Sequence, residues 1–432
     1  MRSCAIPSSH SGYALQIPDS VRVTVAVPPH FPDLPEPGQL IREALDHPIG
    51  TPPIEEMVRP NSKICIICDD ITRPTPVWLI LEHLLPRLLA AGVPKENIFF
   101  VIALGSHRRM TREEMIKKLG KRVVEEYTVL NSEFSDPSML TQVGTSQLGT
   151  PIRVFKPAME ADFRIAIGNI IPHGCMGWSG GAKILYPGIT SEDIVSEFHV
   201  MQGFQDGIVY GMDECPVRLA VEEWTQKIGL HFIINMALTG DFRIYRVVAG
   251  DYIQAHRAGV ENSKKTLGIP VPRKPNIVVV SSYPTDQDMW QCTKGVYAGG
   301  RIIAQGGSMI VLAPCVEGVG PHKDFPSHLG LYHGLEKLKA RIDVRETGEE
   351  LLSMAVGVSI GKLHDICTIH WLTNGCTEEE IRPSRFVWHR EEKIQTVFDQ
   401  VLAQYQEPEV LIIPVGGESF PYLADEKCNM GG

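Results

Sequence analysis

KICIICDDITRPTPVWLILEHLLPRLLAAGVPKENIFFVIALGSHRR, residues 63–109, holds two unbroken apolar runs with a helix-spaced stretch between them. Apolar runs without polar alternation read as strands buried on both faces. The intervening VWLILEHLLPRLLAAGV repeats its apolar residues at helical spacing and closes near Gly92. Strand, helix, strand in that order predicts a parallel βαβ unit, because parallel neighbours need a long crossover. Six more runs carry the pattern outward: FRIAIGNIIPH, HFIINMAL, NIVVVSSYP, SMIVLAP, HDICTIHW and EVLIIPV. The expected class is α/β: two α/β domains with mainly parallel sheets and an active-site cleft between them. LGIPVPRKPN, residues 267–276, is rich in proline and charge and marks the expected boundary. That gives an N-terminal domain of 1–267 and a C-terminal domain of 268–395, with 396–432 left open between the two.

With 432 residues, 43% hydrophobic and 21% charged, the chain has the makeup of a folded two-domain protein. Its net charge of −10 argues against a nucleic-acid or anionic-membrane surface, and no run of membrane-spanning length occurs. Ten scattered cysteines and no signal-like N-terminus make the cytoplasm the expected compartment. Cys65 and Cys68 form a CxxC, but residues three apart on a strand point to opposite faces, so they read as core.

Polar residues collect just after the apolar runs, where open α/β sheets bind ligands. DDITRPTP, residues 69–76, stiffens Arg73 between prolines, and a guanidinium fork suits a carboxylate or phosphate; a surface ion pair with Asp70 is the plainer alternative. GSHRRMTREE places His107 in a strand-to-helix loop ahead of a capping box from Thr111 to Glu114. In PHGCMGWSGGAKILYPG, residues 172–188, His173 follows a strand, and Gly174, Gly177, Gly180 and Gly181 permit close backbone approach ahead of Lys183. The spacing is not that of a Walker A loop. In TDQDMWQCTKG, residues 285–295, Gln291 and Lys294 would share one helix face and offer an amide and a cation to an oxyanion. His199 sits alone on a helix, and His322, His328 and His333 read as a solvated loop rather than a metal site.

DDITRPTP, GSHRRMTREE, HGCMGWSGGAKILYPGI, SEFH, AGDYIQAH and YPTDQDMWQCTKG, in this order, resemble the lactate racemase family. The resemblance implies inversion of a hydroxyl-bearing carbon beside a carboxylate, by hydride transfer to and from a nickel-pincer nucleotide. Lys183 would carry that cofactor by a thioamide link. His199 would add a protein ligand to the nickel, placing Lys183 and His199 at the metal. His107 and His173 would be the two acid/base groups, with Asp70, Arg73, Gly180 and Gly181 around the cofactor. Arg73, Gln291 and Lys294 would hold the substrate, a small 2-hydroxy acid. Trp290 stands where a tyrosine is expected, which points to a substrate other than lactate. Implied partners are the enzymes that build the cofactor; a homo-oligomer is left open. The alternatives are a metal-dependent hydrolase or lyase and a non-catalytic cofactor-binding protein.

Overall fold

The computed structural model describes residues 1–9, 12–205, 207–331, 334–343 and 349–424. The chain divides into two compact units, neither continuous in sequence. One holds His30–Phe198 and Met212–Thr266; the other holds Met1–Pro29, His199–Gly211 and the chain from Leu267 onward.

The sheet of the first unit runs, edge to edge, Ile244–Gly250, Phe232–Leu238, Phe163–Asn169, Ile64–Asp69, Ile98–Ala103 and Thr128–Asn131. All neighbours are parallel except the Ile244–Gly250 and Phe232–Leu238 pair, which is antiparallel. Every residue of Ile64–Asp69 is buried, as its unbroken apolar run predicts. Cys65 and Cys68 are both buried thiols, and burial raises both their pKa values. The connecting helix, Val77–Ala90, buries Val77, Ile80, Leu81, Leu84, Leu85 and Leu88. Each such side chain contributes about 1.5–3 kcal/mol through the area it removes from water. Pro86 lies inside this helix but on its exposed side, where water can take over the hydrogen bond it costs.

The sheet of the second unit runs Val387–His389, Cys367–Leu372, Gly307–Leu312, Ile277–Ser281, Glu409–Ile413 and Arg22–Val25, parallel throughout. All eight apolar runs picked out from the sequence are therefore strands, and the α/β class with mainly parallel sheets is the observed one.

The linear division of the chain differs from the expected one. A unit boundary does fall at Thr266/Leu267, but part of the Pro-rich segment is itself a strand, Gly268–Val271, paired in parallel with Phe420–Leu423. Residues 1–29 belong with the second unit because Arg22–Val25 pairs with Glu409–Ile413. The last long strand joins that same sheet, between Ile277–Ser281 and Arg22–Val25, and does not return to the first unit. Among the described residues, no helix is long and apolar enough to cross a membrane.

Candidate active site

In the first unit, parallel strands deliver their C-terminal loops side by side. Ile64–Asp69 ends in Asp69 and Asp70, Ile98–Ala103 leads to His107, and Phe163–Asn169 leads to His173 and the glycine loop. Asp70 is almost fully buried. One carboxylate oxygen accepts from the Thr72 amide (3.0 Å) and hydroxyl (2.5 Å). The other meets His107 Nδ1 at 2.6 Å. Burial alone would raise the Asp70 pKa, but His107, Arg73 and Thr72 outweigh it and hold the carboxyl well below its usual range. An ionised Asp70 can only accept, so Nδ1 of His107 carries a proton, and in the neutral ring Nε2 is then the acceptor. The Arg73 guanidinium lies 3.4–3.5 Å from Thr72 oxygens rather than pairing directly with Asp70.

The loop bearing Asp70 and Arg73 is held from below. Lys118, nearly fully buried on the helix Arg112–Leu119, sits 2.6 Å from Asp69 Oδ1 and donates to the Arg73 carbonyl at 2.8 Å. Asp69 Oδ2 accepts from the Thr75 hydroxyl (2.5 Å) and the Asn169 amide (3.3 Å). One buried ion pair thus ties the Arg73 loop to the helix that follows the His107 loop and to Asn169, at the end of the strand leading to His173. The helix starts with the expected capping box: Thr111 Oγ1 accepts the Glu114 amide at 3.3 Å, and Glu114 accepts the Thr111 amide at 2.8 Å.

His173 ends a two-residue strand paired with Gly177–Trp178. Its Nδ1 accepts the Cys175 amide at 3.1 Å, which assigns its proton to Nε2. Its ring packs edge-on against Phe198 (6.2 Å). The two candidate histidines therefore hold opposite tautomers. His199, the next residue in the chain after Phe198, is half-buried on the helix Glu192–Phe204, which passes from one unit to the other.

Gly180 and Gly181 take positive φ angles of 73° and 58° in succession. A Cβ at Gly181 would stand 2.8 Å from the His256 ring, and one at Gly180 would stand 2.9 Å from the Asn169 carbonyl oxygen. Only glycine fits this turn. Lys183 follows, and burial, then the charge of Arg73, push its pKa down to about 8. Among the described residues, no three His, Cys, Asp or Glu side chains gather as metal ligands.

In the second unit, Trp290, Gln291 and Lys294 lie in the first two turns of the helix Met289–Ile302, each half-buried, with Gln291 and Lys294 three apart on one face as expected. Asp288 caps this helix by accepting the Gln291 amide at 2.7 Å. The Trp290 ring packs on His322 (4.1 Å) and Phe325 (4.8 Å). His328 is buried, with Nδ1 2.8 Å from the Ser353 hydroxyl. His322 and His328 are thus packed rather than solvated, and His333 lies outside the described residues. Asp286, another polar strand-end residue, gives both carboxylate oxygens to Ser9, at 2.7 Å to its amide and 2.5 Å to its hydroxyl. It serves the N-terminal segment.

The model for the lactate racemase N-terminal domain matches residues 9–208. A lactate racemase of Thermoanaerobacterium thermosaccharolyticum is 31% identical over 289 residues, 65% of this chain and 66% of that protein. One of Lactiplantibacillus plantarum is 30% identical over 300 residues, 69% of each. The chain belongs to the lactate racemase family, a family of isomerases. Solved structures agree on the fold. The lactate racemase apoprotein from T. thermosaccharolyticum matches with a TM-score of 0.84 at 24% identity, over 98% of this chain and 100% of that one. A protein from Thermotoga maritima matches at 0.67 and 23%, over 91% and 100%.

Proposed function

We propose that the protein is a racemase or epimerase of a 2-hydroxy acid other than lactate, working with a nickel-pincer nucleotide attached to Lys183. The observation that carries this reading is the pair of oppositely protonated histidines, His107 and His173, on strand ends of the unit that also presents a lysine of lowered pKa. Family membership supports the same chemistry.

The residues fit the cofactor. A lysine whose pKa is about 8 is substantially neutral under mildly alkaline conditions, as covalent attachment requires. Lys183 and His199 would hold the group, with the Gly180–Gly181 backbone, Asp70 and Arg73 beside it. When bound, it supplies an acceptor for the hydrogen on the hydroxyl-bearing carbon.

The side chains supply the proton chemistry. His107 Nε2 takes the hydroxyl proton, and Asp70 stabilises the imidazolium that results. His173, protonated on Nε2, serves the opposite configuration, whose hydroxyl points another way. Gln291 and Lys294, on the helix Met289–Ile302, offer an amide and a cation suited to the substrate carboxylate. Trp290, packed against His322 and Phe325, stands where a tyrosine is expected, and that difference is the basis for a substrate other than lactate.

The test is to co-produce the chain with the cofactor's biosynthetic enzymes, measure nickel and intact mass, and screen 2-hydroxy acids by chiral chromatography. The expected result is an adduct that Lys183→Ala abolishes and inversion of a longer or more polar acid than lactate. Bare protein without nickel would refute the cofactor assignment, and lactate as the best substrate would refute the role given to Trp290.

A further inference from the structure

Three buried polar side chains from three elements converge on the backbone just before Lys183, and none of them belongs to the acid/base set. Arg218, from the helix Pro216–Ile228, donates to the Trp178 carbonyl. His256 Nε2, from the helix Gln254–Leu267, lies 2.8 Å from the Ser179 carbonyl oxygen. Asn235, from the strand Phe232–Leu238, accepts the Gly181 amide at 2.7 Å. The Ser179 hydroxyl adds a bond to the Asn169 carbonyl at 3.0 Å and accepts the Ile171 amide at 2.9 Å.

His256 is distinguished by what lies behind it. A carbonyl can only accept, so Nε2 of His256 must carry a proton. Its Nδ1 faces the Arg257 guanidinium at 3.2 Å, a group that can only donate, so Nδ1 must accept. Arg257 is held in turn by Glu222, at 2.8 and 3.0 Å to its two carboxylate oxygens. The series Glu222, Arg257, His256, Ser179 thus has one consistent arrangement of hydrogens. The His256 ring also crowds Gly181, where an added Cβ would stand 2.8 Å from it, and the Lys183 amide bonds the Gly180 carbonyl at 3.2 Å. The turn leaves little slack between Ser179 and Lys183.

From this geometry we infer that His256 is a positioning residue for Lys183, its tautomer fixed by the Arg257–Glu222 pair, so that the lysine is presented in one conformation for covalent attachment. The inference rests on Lys183 being the attachment point, but its test needs neither cofactor nor turnover. Failure to find an adduct would therefore leave it standing, and the converse also holds.

Full-length apoprotein is compared as native, His256→Gln, His256→Phe and Arg257→Met. Two quantities are read: hydrogen exchange of the peptide spanning residues 178–185, and the rate of reductive methylation of Lys183 at one fixed pH. Glutamine keeps a donor near the position of Nε2, whereas phenylalanine keeps the ring and loses the donor. Loss of one buried hydrogen bond is expected to speed exchange of this peptide about tenfold. In His256→Phe the Lys183 methylation rate also changes, while the strand Ile98–Ala103 keeps its protection. In His256→Gln both readouts return to within about threefold of native. Arg257→Met should fall between the two, and it carries the test if the phenylalanine variant does not fold. Unchanged exchange and methylation in His256→Phe, or in Arg257→Met when it stands alone, would overturn the inference. So would a glutamine variant indistinguishable from the phenylalanine one, since that would leave only packing.

Discussion

Replacing Lys118 with methionine removes the cation beneath the Arg73 loop and keeps most of the side-chain volume. The pair it breaks is deeply buried: the side chains of Lys118 and Asp69 are 3% and 12% exposed, with 2.6 Å between their charged atoms. Removing one member of such a pair costs about 3–5 kcal/mol, mostly because the other charge stays buried without its partner. Asp69 keeps its bonds from Thr75 and the Asn169 amide, so the lower half of that range is expected. The bond from Lys118 to the Arg73 carbonyl is lost as well, which loosens the loop carrying Asp70. Urea unfolding of native, Lys118→Met, Asp69→Asn and the double variant measures both effects. The double variant should recover part of the loss, because two neutral groups leave no orphaned charge, giving a coupling energy of at least about 2 kcal/mol. In the loaded enzyme, Lys118→Met should lower kcat/KM by about 10²-fold, the effect of displacing a substrate-binding group by about an ångström. A single variant within about 1 kcal/mol of native, or strict additivity in the cycle, would refute the argument.

Asp70→Asn should reduce kcat by about 10²–10⁴-fold, the usual range for disabling a general base, with its tautomer no longer fixed. Because the Asp70 pKa is depressed in the folded protein, its contribution to stability is complete above the unfolded value near 4 and is lost as pH falls below it. Acid titration of stability should show this loss in the native protein and not in Asp70→Asn. Gly181→Ala combines a left-handed φ with a Cβ 2.8 Å from His256, so a loss of at least about 2 kcal/mol is expected by thermal denaturation. Trp290→Tyr should raise the kcat/KM ratio for lactate over the preferred acid in competition assays; no change in the ratio would remove Trp290 from the specificity argument.

The sequence made the sheet centres plain and the edges obscure. Ile64–Asp69 and Ile277–Ser281 are buried at every position, so their apolar runs are continuous. Thr128–Asn131, Arg22–Val25 and Val387–His389 are partly exposed edge strands of three or four residues, too short and too polar to stand out. The membership of residues 1–29 in the second unit was hidden for a different reason. It depends on pairing with a strand near the far end of the chain, which no local pattern records. The site divides in the same way. Gly180–Gly181–Lys183 and His107 were visible because their chemistry follows an apolar run directly. Lys118 was not, because REEMIKKL reads as a solvated amphipathic helix, and only the fold reveals that one lysine turns inward to Asp69. The pairing of Asp70 with His107 and the role of His256 were likewise missed, since the partners are far apart in sequence.

The interleaved chain path also sets an order for events on the ribosome. The sheet carrying Lys183 has all six of its strands once residue 250 has emerged. Arg22–Val25 emerges earlier still, yet its neighbour Glu409–Ile413 follows more than 380 residues later. At about 5–20 residues per second, that first strand waits roughly 20–80 s for a partner. Pro18 on one side and Pro28 and Pro29 on the other flank this strand, and a proline cannot donate to a ladder extended wrongly past its ends. Truncation from the C-terminus would accordingly damage the beginning of the chain as much as its end.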